Sequence, residues 1–337
     1  MKTPPVTSDR IMELAYAFRG AKALLSAVEL GVFGALTGGR LNVDALGRRI
    51  GIHRRGACDF FDALVALGLL CRDADGCYSN SRASDRFLVP GKSSYIGGLL
   101  SHLNTREYPH WNMLTRALLT GAAQFGSGEA GHYQELYANP AAVEEFAQAM
   151  SGGSLLVAKA LAQRFPWDKY KTVIDVGSAE GCLPVEIAQV HAHLSGGGFD
   201  LPPLAGAFIS YVHKHGLSER LSFYSGDFLQ DPLPAADVLV MGRVLHNWDL
   251  STKKMLLGKA YAALPRGGAL IIYERLIDDE RRVNSVGLLA SLNMLIMTEG
   301  GFDYSAADCI GWMQQEGFRD MYVEPLTGDQ TMIVGTK

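Results

Sequence analysis

At 337 residues the chain is long enough for two domains, because a single core of that size would be unusual. It is 48% hydrophobic and 20% charged with a net charge of −4, an ordinary soluble composition that lacks the basic footprint of a nucleic-acid or membrane-surface binder. Five cysteines, an odd number with no C-x-x-C pair, read as reduced thiols rather than a disulfide or zinc framework, so no metal is expected.

No leader opens the chain and no apolar run reaches the roughly 20 residues that cross a bilayer, so a cytoplasmic protein is expected. Residues 10–36 repeat apolar side chains at helical spacing (Ile11, Leu14, Phe18, then Leu24, Leu25, Val28) and predict two helices parted near Gly20. A short helix, a turn at Gly51, a longer helix to Leu67 and a hairpin tipped by Asp75-Gly76 then spell a winged-helix pattern. His53, Arg54 and Arg55 stand where a DNA-reading helix would begin. The other reading is a solvated basic cluster on a packing or dimerisation module, and Asp59 and Asp62 with no basic tail favour it. Residues 95–165 read as helical, with a loop at 126–131 and two segments meeting near Gly152-Gly153. The expected organisation is a winged-helix domain over 1–100, a helical pocket region over 101–165 and a catalytic domain over 166–337.

From Thr172 onward strands and helices alternate. Strands are expected at 172–177, up to Asp200, at 221–228, at 236–245 and at 268–277, and MYVEPL and TMIVGTK close the chain as a hairpin. The fold class is therefore α/β: a Rossmann-like, seven-stranded, mostly parallel sheet with a terminal antiparallel hairpin, beside an all-α/winged-helix N-terminal domain. Ligands of such sheets lie over the carboxyl ends of the strands. Those ends carry Asp175, Asp200, Asp227, His246 and Glu274.

The first of these turns selects the ligand. After the strand stands Asp175-Val176-Gly177-Ser178-Ala179-Glu180-Gly181, not G-x-G-x-x-G, and 25 residues after Asp175 comes Asp200, followed by Leu201. A carboxylate inside the strand end disfavours a pyrophosphate and suits a ligand with a cationic amino-acid end, such as S-adenosylmethionine. Asp200 is placed to accept hydrogen bonds from both ribose hydroxyls. Next along, Met241-Gly242-Arg243-Val244-Leu245-His246-Asn247-Trp248-Asp249 sets Gly242 and Arg243 at the fourth strand end and a histidine over the same crevice. Attack on a sulfonium methyl is an in-line displacement, and a phenol with a pKa near 10 needs a base at neutral pH. His246 is the candidate base, with Glu274 and Asp303 as the acids that orient it. Asp303 also reads as a helix N-terminal acid ahead of Ser305.

A winged-helix front, then DVG, FDLP, GDF, LHNWD, a Tyr-Glu ending the fifth strand and a late GG-F-D resemble, in this order, the small-molecule O-methyltransferases of the plant caffeate and bacterial natural-product group. The resemblance covers roughly residues 10–337 and implies S-adenosylmethionine as cofactor and a small aromatic substrate. It implies that Gly177 and Gly181 line the methionine end, that Asp200 holds the ribose, that Asp227 and Phe228 meet the adenine and that His246 is the base. It further implies a homodimer through the N-terminal domain, with Trp111, Met150, Asn293 and Met297 shaping the acceptor pocket. Three positions depart from the family pattern. Ala179 stands in a turn usually written G-G-G-x-G, Asn247 replaces the usual aspartate after the base, and Asp303 is one methylene shorter than the usual glutamate. The altered turn keeps open a relative that uses the cofactor's charge for pericyclic, decarboxylation or hydroxylation chemistry. A cofactor-sensing DNA regulator is a further reading. A nicotinamide dehydrogenase is disfavoured by Asp175 and the missing G-x-G-x-x-G.

Overall fold

A computed structural model describes residues 7–92, 94–125 and 140–337, and the loop expected at 126–131 lies outside them. The chain forms two compact units divided between Arg106 and Glu107.

In the first unit Asp9–Glu29 is one helix, where the sequence suggested two. Gly20 stays helical because a mid-helix glycine costs only about 1 kcal/mol, which tertiary packing readily offsets. Helices Val32–Ala35, Val43–Ile50 and Arg54–Ala66 follow, then strands β1 (Leu70–Arg72) and β2 (Tyr78–Asn80), an antiparallel hairpin. Phe33, Leu46, Phe61, Leu64 and Tyr78 form the buried centre. Asn42 and His53 each cap a helix: Asn42 Oδ1 accepts from the Ala45 N–H at 2.9 Å, and His53 Nδ1 from the Arg55 N–H at 3.2 Å. His53 thus closes the start of its own helix. The first half of helix Asp9–Glu29 is unburied, with Ile11, Leu14 and Phe18 at 71%, 72% and 55% exposure.

The second unit holds a seven-stranded sheet. Its strands are β3 (Thr172–Val176), β4 (Ser195–Asp200), β5 (Leu221–Ser225), β6 (Val238–Gly242), β7 (Ala269–Glu274), β8 (Arg319–Pro325) and β9 (Thr331–Thr336), in spatial order β5-β4-β3-β6-β7-β9-β8. β9 pairs antiparallel with both β7 and β8, and the other pairings are parallel. Successive side chains of β6 alternate between layers: Leu239 and Met241 pack with Leu256, Leu257 and Ile272, while Val238 and Val240 pack with Leu161, Leu183 and Ile271. Helices on both faces explain the near-continuous apolar runs of β3, β6 and β7. The fourth expected strand stops early, at Gly242, because Arg243 turns the chain at φ 56°. Pro140–Arg164 is a single helix running through Gly152-Gly153, not two segments, and packs along helix Cys182–Val190. The chain order reverses between β3 and β6, which opens the crevice over their carboxyl ends. No described helix is long and apolar enough to cross a membrane.

Candidate functional site

The turn after β3 is held by its own backbone. The Gly177 N–H donates to Phe199 O and the Gly181 N–H to Ser178 O, both at 2.9 Å. Gly177 (φ 79°), Ala179 (φ 48°) and Gly181 (φ 88°) all sit in the left-handed region, which explains the glycines of the related turns. Ala179 bears a cost there of about 1 kcal/mol. Its N–H donates to Asp200 Oδ2 at 2.8 Å, and the Leu201 N–H donates to Oδ1 at 2.8 Å, so one carboxylate clamps the turn to the end of β4.

Burial raises the Asp200 carboxyl to about 6, against the pull of those two donors. Asp175 is raised well above the usual carboxylate range, first by burial and then by the charge of Asp200. Its charge is therefore disfavoured, which weakens the expectation that the Asp175 carboxylate repels a pyrophosphate. Beyond β5, Asp227 Oδ1 accepts from the Leu229 N–H at 2.9 Å, and its own N–H donates to Asp231 Oδ2 at 2.8 Å. Phe228 meets Trp248 edge-on at 5.8 Å. Gly242 ends β6 opposite Tyr273, and the Arg243 N–H donates to Tyr273 O at 3.0 Å.

His246 stands in the 3-10 turn Leu245–Asn247 just past β6. Its Nδ1 lies 3.3 Å from Asp303 Oδ1 and 3.7 Å from Glu274 Oε2, and its backbone N–H donates to Glu274 Oε1 at 3.3 Å. Both acid side chains are 1% exposed and the imidazole 13%. Burial alone would lower the imidazole, but the Glu274 charge and the Asp303 hydrogen bond and charge outweigh it, and the net direction is upward. Glu274 is raised, chiefly by burial. With Nδ1 turned to the acids, Nε2 on the far side of the ring is the nitrogen left for a reacting group. His191 and His193 contrast with it: their Nε2 atoms lie against the backbone carbonyls of Ala162 (2.7 Å) and Trp167 (3.3 Å).

The acids arrive by separate routes. Glu274 ends β7, and Asp303 lies on a segment that runs beside the extension of β7, where the Ile277 N–H donates to Tyr304 O. The Asp303 N–H donates to Ser291 Oγ at 3.2 Å. Gly301 has no room for a side chain, since a Cβ would lie 2.7 Å from the carbonyl oxygens of both His246 and Asn247.

Two of the expected pocket residues meet: Trp111 Nε1 donates to Asn293 Oδ1 at 2.9 Å. Asn293 and Met297 are one turn apart on helix Ser285–Met297, which touches Tyr108–Trp111, Leu114–Thr120 and the His246 turn. Met150 is half-buried on helix Pro140–Arg164, and none of these contacts includes it.

Two residues at the site escaped sequence reasoning. Burial raises Glu107, opposed by the charges of Arg243, Arg275 and His246. Lys253 is fully buried behind the histidine turn. Its signal was available: Lys253, Leu256, Leu257 and Ala260 follow helical spacing, so the lysine falls on the apolar stripe of helix Leu250–Ala263.

Residues 111–319 match the O-methyltransferase domain family, and residues 12–90 match an O-methyltransferase dimerisation domain. The chain is 40% identical to the tetracenomycin polyketide synthesis 8-O-methyl transferase TcmO of Streptomyces glaucescens, across 97% of this chain and 96% of that one. It is 38% identical to the N,N-dimethyltransferase OxyT of Streptomyces rimosus, across 94% and 92%. The crystal structure of human N-acetylserotonin methyltransferase in complex with SAM superposes with a TM-score of 0.90 at 26% identity, covering 100% of this chain and 99% of that one.

Proposed function

The chain belongs to the O-methyltransferase family, and from that premise we propose that it methylates a phenolic hydroxyl of an aromatic, polyketide-type metabolite, with His246 as general base. The observation that carries the reading is the His246–Asp303–Glu274 cluster at the mouth of the β3/β6 crevice, 3.3 and 3.7 Å from ring nitrogen to acids.

The protein is an S-adenosylmethionine-dependent enzyme, and the residues of the turn suit that cofactor. Its polar side chains include the carboxyls of Asp175, Asp200 and Asp227, acceptors that match hydroxyls and an ammonium rather than phosphates. Asp200 and Leu201 would hold the ribose, Gly177 and Gly181 the methionine end, Asp227 and Phe228 the adenine, with Gly242 and Arg243 beside them. When bound, the cofactor supplies a methyl carbon on a sulfonium. His246 Nε2 would take the acceptor's O–H proton, and Asp303 and Glu274 would stabilise the imidazolium that forms. Trp111, Asn293, Met297 and Met150 would shape the acceptor cavity, and the Trp111–Asn293 bond supports the placing of the first two.

We further propose a homodimer. The exposed apolar stripe of Leu14 and Phe18 within the matched dimerisation domain, with Ile11 one residue before it, is the surface that supports it. Light scattering at micromolar concentration is expected to give twice the chain mass, and a monomer mass would contradict the dimer.

Incubation with methyl-labelled S-adenosylmethionine and a panel of phenols and amines tests the activity itself. Label on a phenolic oxygen is expected. Label on amines alone would move the enzyme to nitrogen acceptors, and label on none would remove the aromatic-acceptor reading.

A further inference from the structure

A lysine with no exposed surface is costly, because an ammonium loses its hydration and a leucine would fill the same volume without that loss. Lys253 is such a residue, at 0% exposure. Its Nζ donates to the Trp248 carbonyl and lies 3.4 Å from the centroid of the Phe302 ring and 5.6 Å from that of Tyr304. Trp248 is two residues beyond His246, and Phe302 and Tyr304 are the two neighbours of Asp303. One side chain therefore ties the segment that bears the histidine to the segment that bears its acid. We infer that Lys253 is a positioning residue, which fixes His246 against Asp303 and supplies the buried positive charge that balances Glu274 and Asp303. This rests on the reading of His246 as the base.

Three further observations agree. Gly301 leaves the 300–304 segment pressed on the carbonyls of His246 and Asn247, so the two segments are already in backbone contact and need only a lateral tie. The carboxylates felt by Lys253 are Glu274, Asp303 and Asp249, with Cys309 beside them, and among the described residues none pairs with it directly; the ammonium answers the site as a whole. Burial lowers Lys253 to about 8, against the pull of those carboxylates, which leaves it mostly cationic at neutral pH.

The charge has a direction that can be measured. His246 is faced by Glu274 from β7, Asp303 from the 302–304 segment, Arg243 from the end of β6 and Glu107, with Lys253 behind the acids. Removal of the ammonium leaves the acids less balanced, so the imidazole holds its proton more tightly. Lys253→Met should raise the His246 titration by at least about 0.5 pH unit and move the acidic limb of kcat upward with it. At pH 7 kcat should fall about tenfold or more, about threefold from that move and the rest from the loosened ring, while KM for the acceptor stays within about threefold.

The experiment is an NMR titration of ring-labelled histidine in the full-length protein, with the His246 signal assigned by its loss in His246→Ala. Wild type, Lys253→Met and Lys253→Arg are compared, alongside the pH profile of methyl transfer. The inference expects an upward move in Lys253→Met and recovery in Lys253→Arg. If Lys253→Met does not fold, Lys253→Gln, which keeps a donor for Trp248 O, gives the same readout. A His246 titration unchanged or lowered in the folded variant, with only thermal stability lost, would overturn it. The titration does not depend on turnover: a wild type that methylates nothing defeats the functional reading, whereas an active wild type with an unmoved His246 defeats this one alone.

Discussion

The ends of the crevice proposed to hold the cofactor and the base are built on different principles. The cofactor end is a short contiguous stretch closed by backbone hydrogen bonds, with one carboxylate, Asp200, clamping Ala179 and Leu201. The base end joins partners 28 and 57 residues apart, and it buries two acids and a lysine around a partly exposed histidine. Local backbone geometry tolerates small changes of side chain. A cluster of buried charges does not, because removal of one member leaves the others uncompensated. Substitutions at the base end should therefore hurt turnover and spare cofactor binding, and those at the cofactor end should do the reverse.

The largest effect expected is on turnover in His246→Ala, which should fall ~10²–10⁴-fold at pH 7, the usual worth of a general base. Calorimetry should find its cofactor affinity within a few-fold of wild type. A parallel loss of affinity would erase the distinction between the two ends.

Asp200→Ala should weaken cofactor binding by ~10²-fold or more, since hydrogen bonds to a charged acceptor contribute about 1.5–3 kcal/mol each. Near-native affinity in that variant would remove Asp200 from the cofactor site. The same carboxylate gives binding its pH dependence. With its pKa at about 6, Asp200 is mostly ionised at pH 7 and mostly protonated at pH 5. Protonation removes acceptor capacity, so affinity should fall roughly tenfold over that interval, and the fall should vanish in Asp200→Asn. A flat profile in the wild type would show that the ionised form is not required.

The smallest effect belongs to Ala179→Gly. Relief of the left-handed alanine, about 1 kcal/mol, is nearly cancelled by the greater backbone entropy of glycine. Stability from denaturant titration should stay within ~0.5 kcal/mol and cofactor affinity within about threefold. A tenfold loss of affinity would mean that the alanine methyl itself touches the ligand.

The two ends also differed in how openly the sequence declared them. Asp175, Gly177, Gly181 and Asp200 could be placed because a strand, a tight turn and a second strand end lie within one βαβ unit. Even there β4 carries Gly196, Gly197 and Gly198, a run that strand propensity disfavours, and it was placed only by the acid at its end. At the base end His246 was legible because it follows an apolar strand. Its pairing with Asp303 was not fixed by sequence, since a helix-start acid was an equal reading; the structure gives the capping box of helix Ala306–Gln315 to Ser305 and Asp308 instead. Lys253 went unread because a lysine on a helix is normally a solvated one, and only its register with Leu256 and Leu257 says otherwise. Gly20 and Gly152-Gly153 misled in the opposite sense. Glycine lowers helix propensity, but packing decides whether the helix continues.

The central claim is that His246 removes the acceptor's proton, and the most direct measurement is the ratio of wild-type to His246→Ala turnover from pH 7 to pH 10. At pH 7 the phenol is neutral and the ratio should be ~10²–10⁴. As pH nears the phenol's own pKa of about 10, the acceptor ionises without help and the ratio should shrink toward one. A ratio that stays constant across the range, in a variant that has also lost thermal stability, would contradict the account and leave His246 a structural residue.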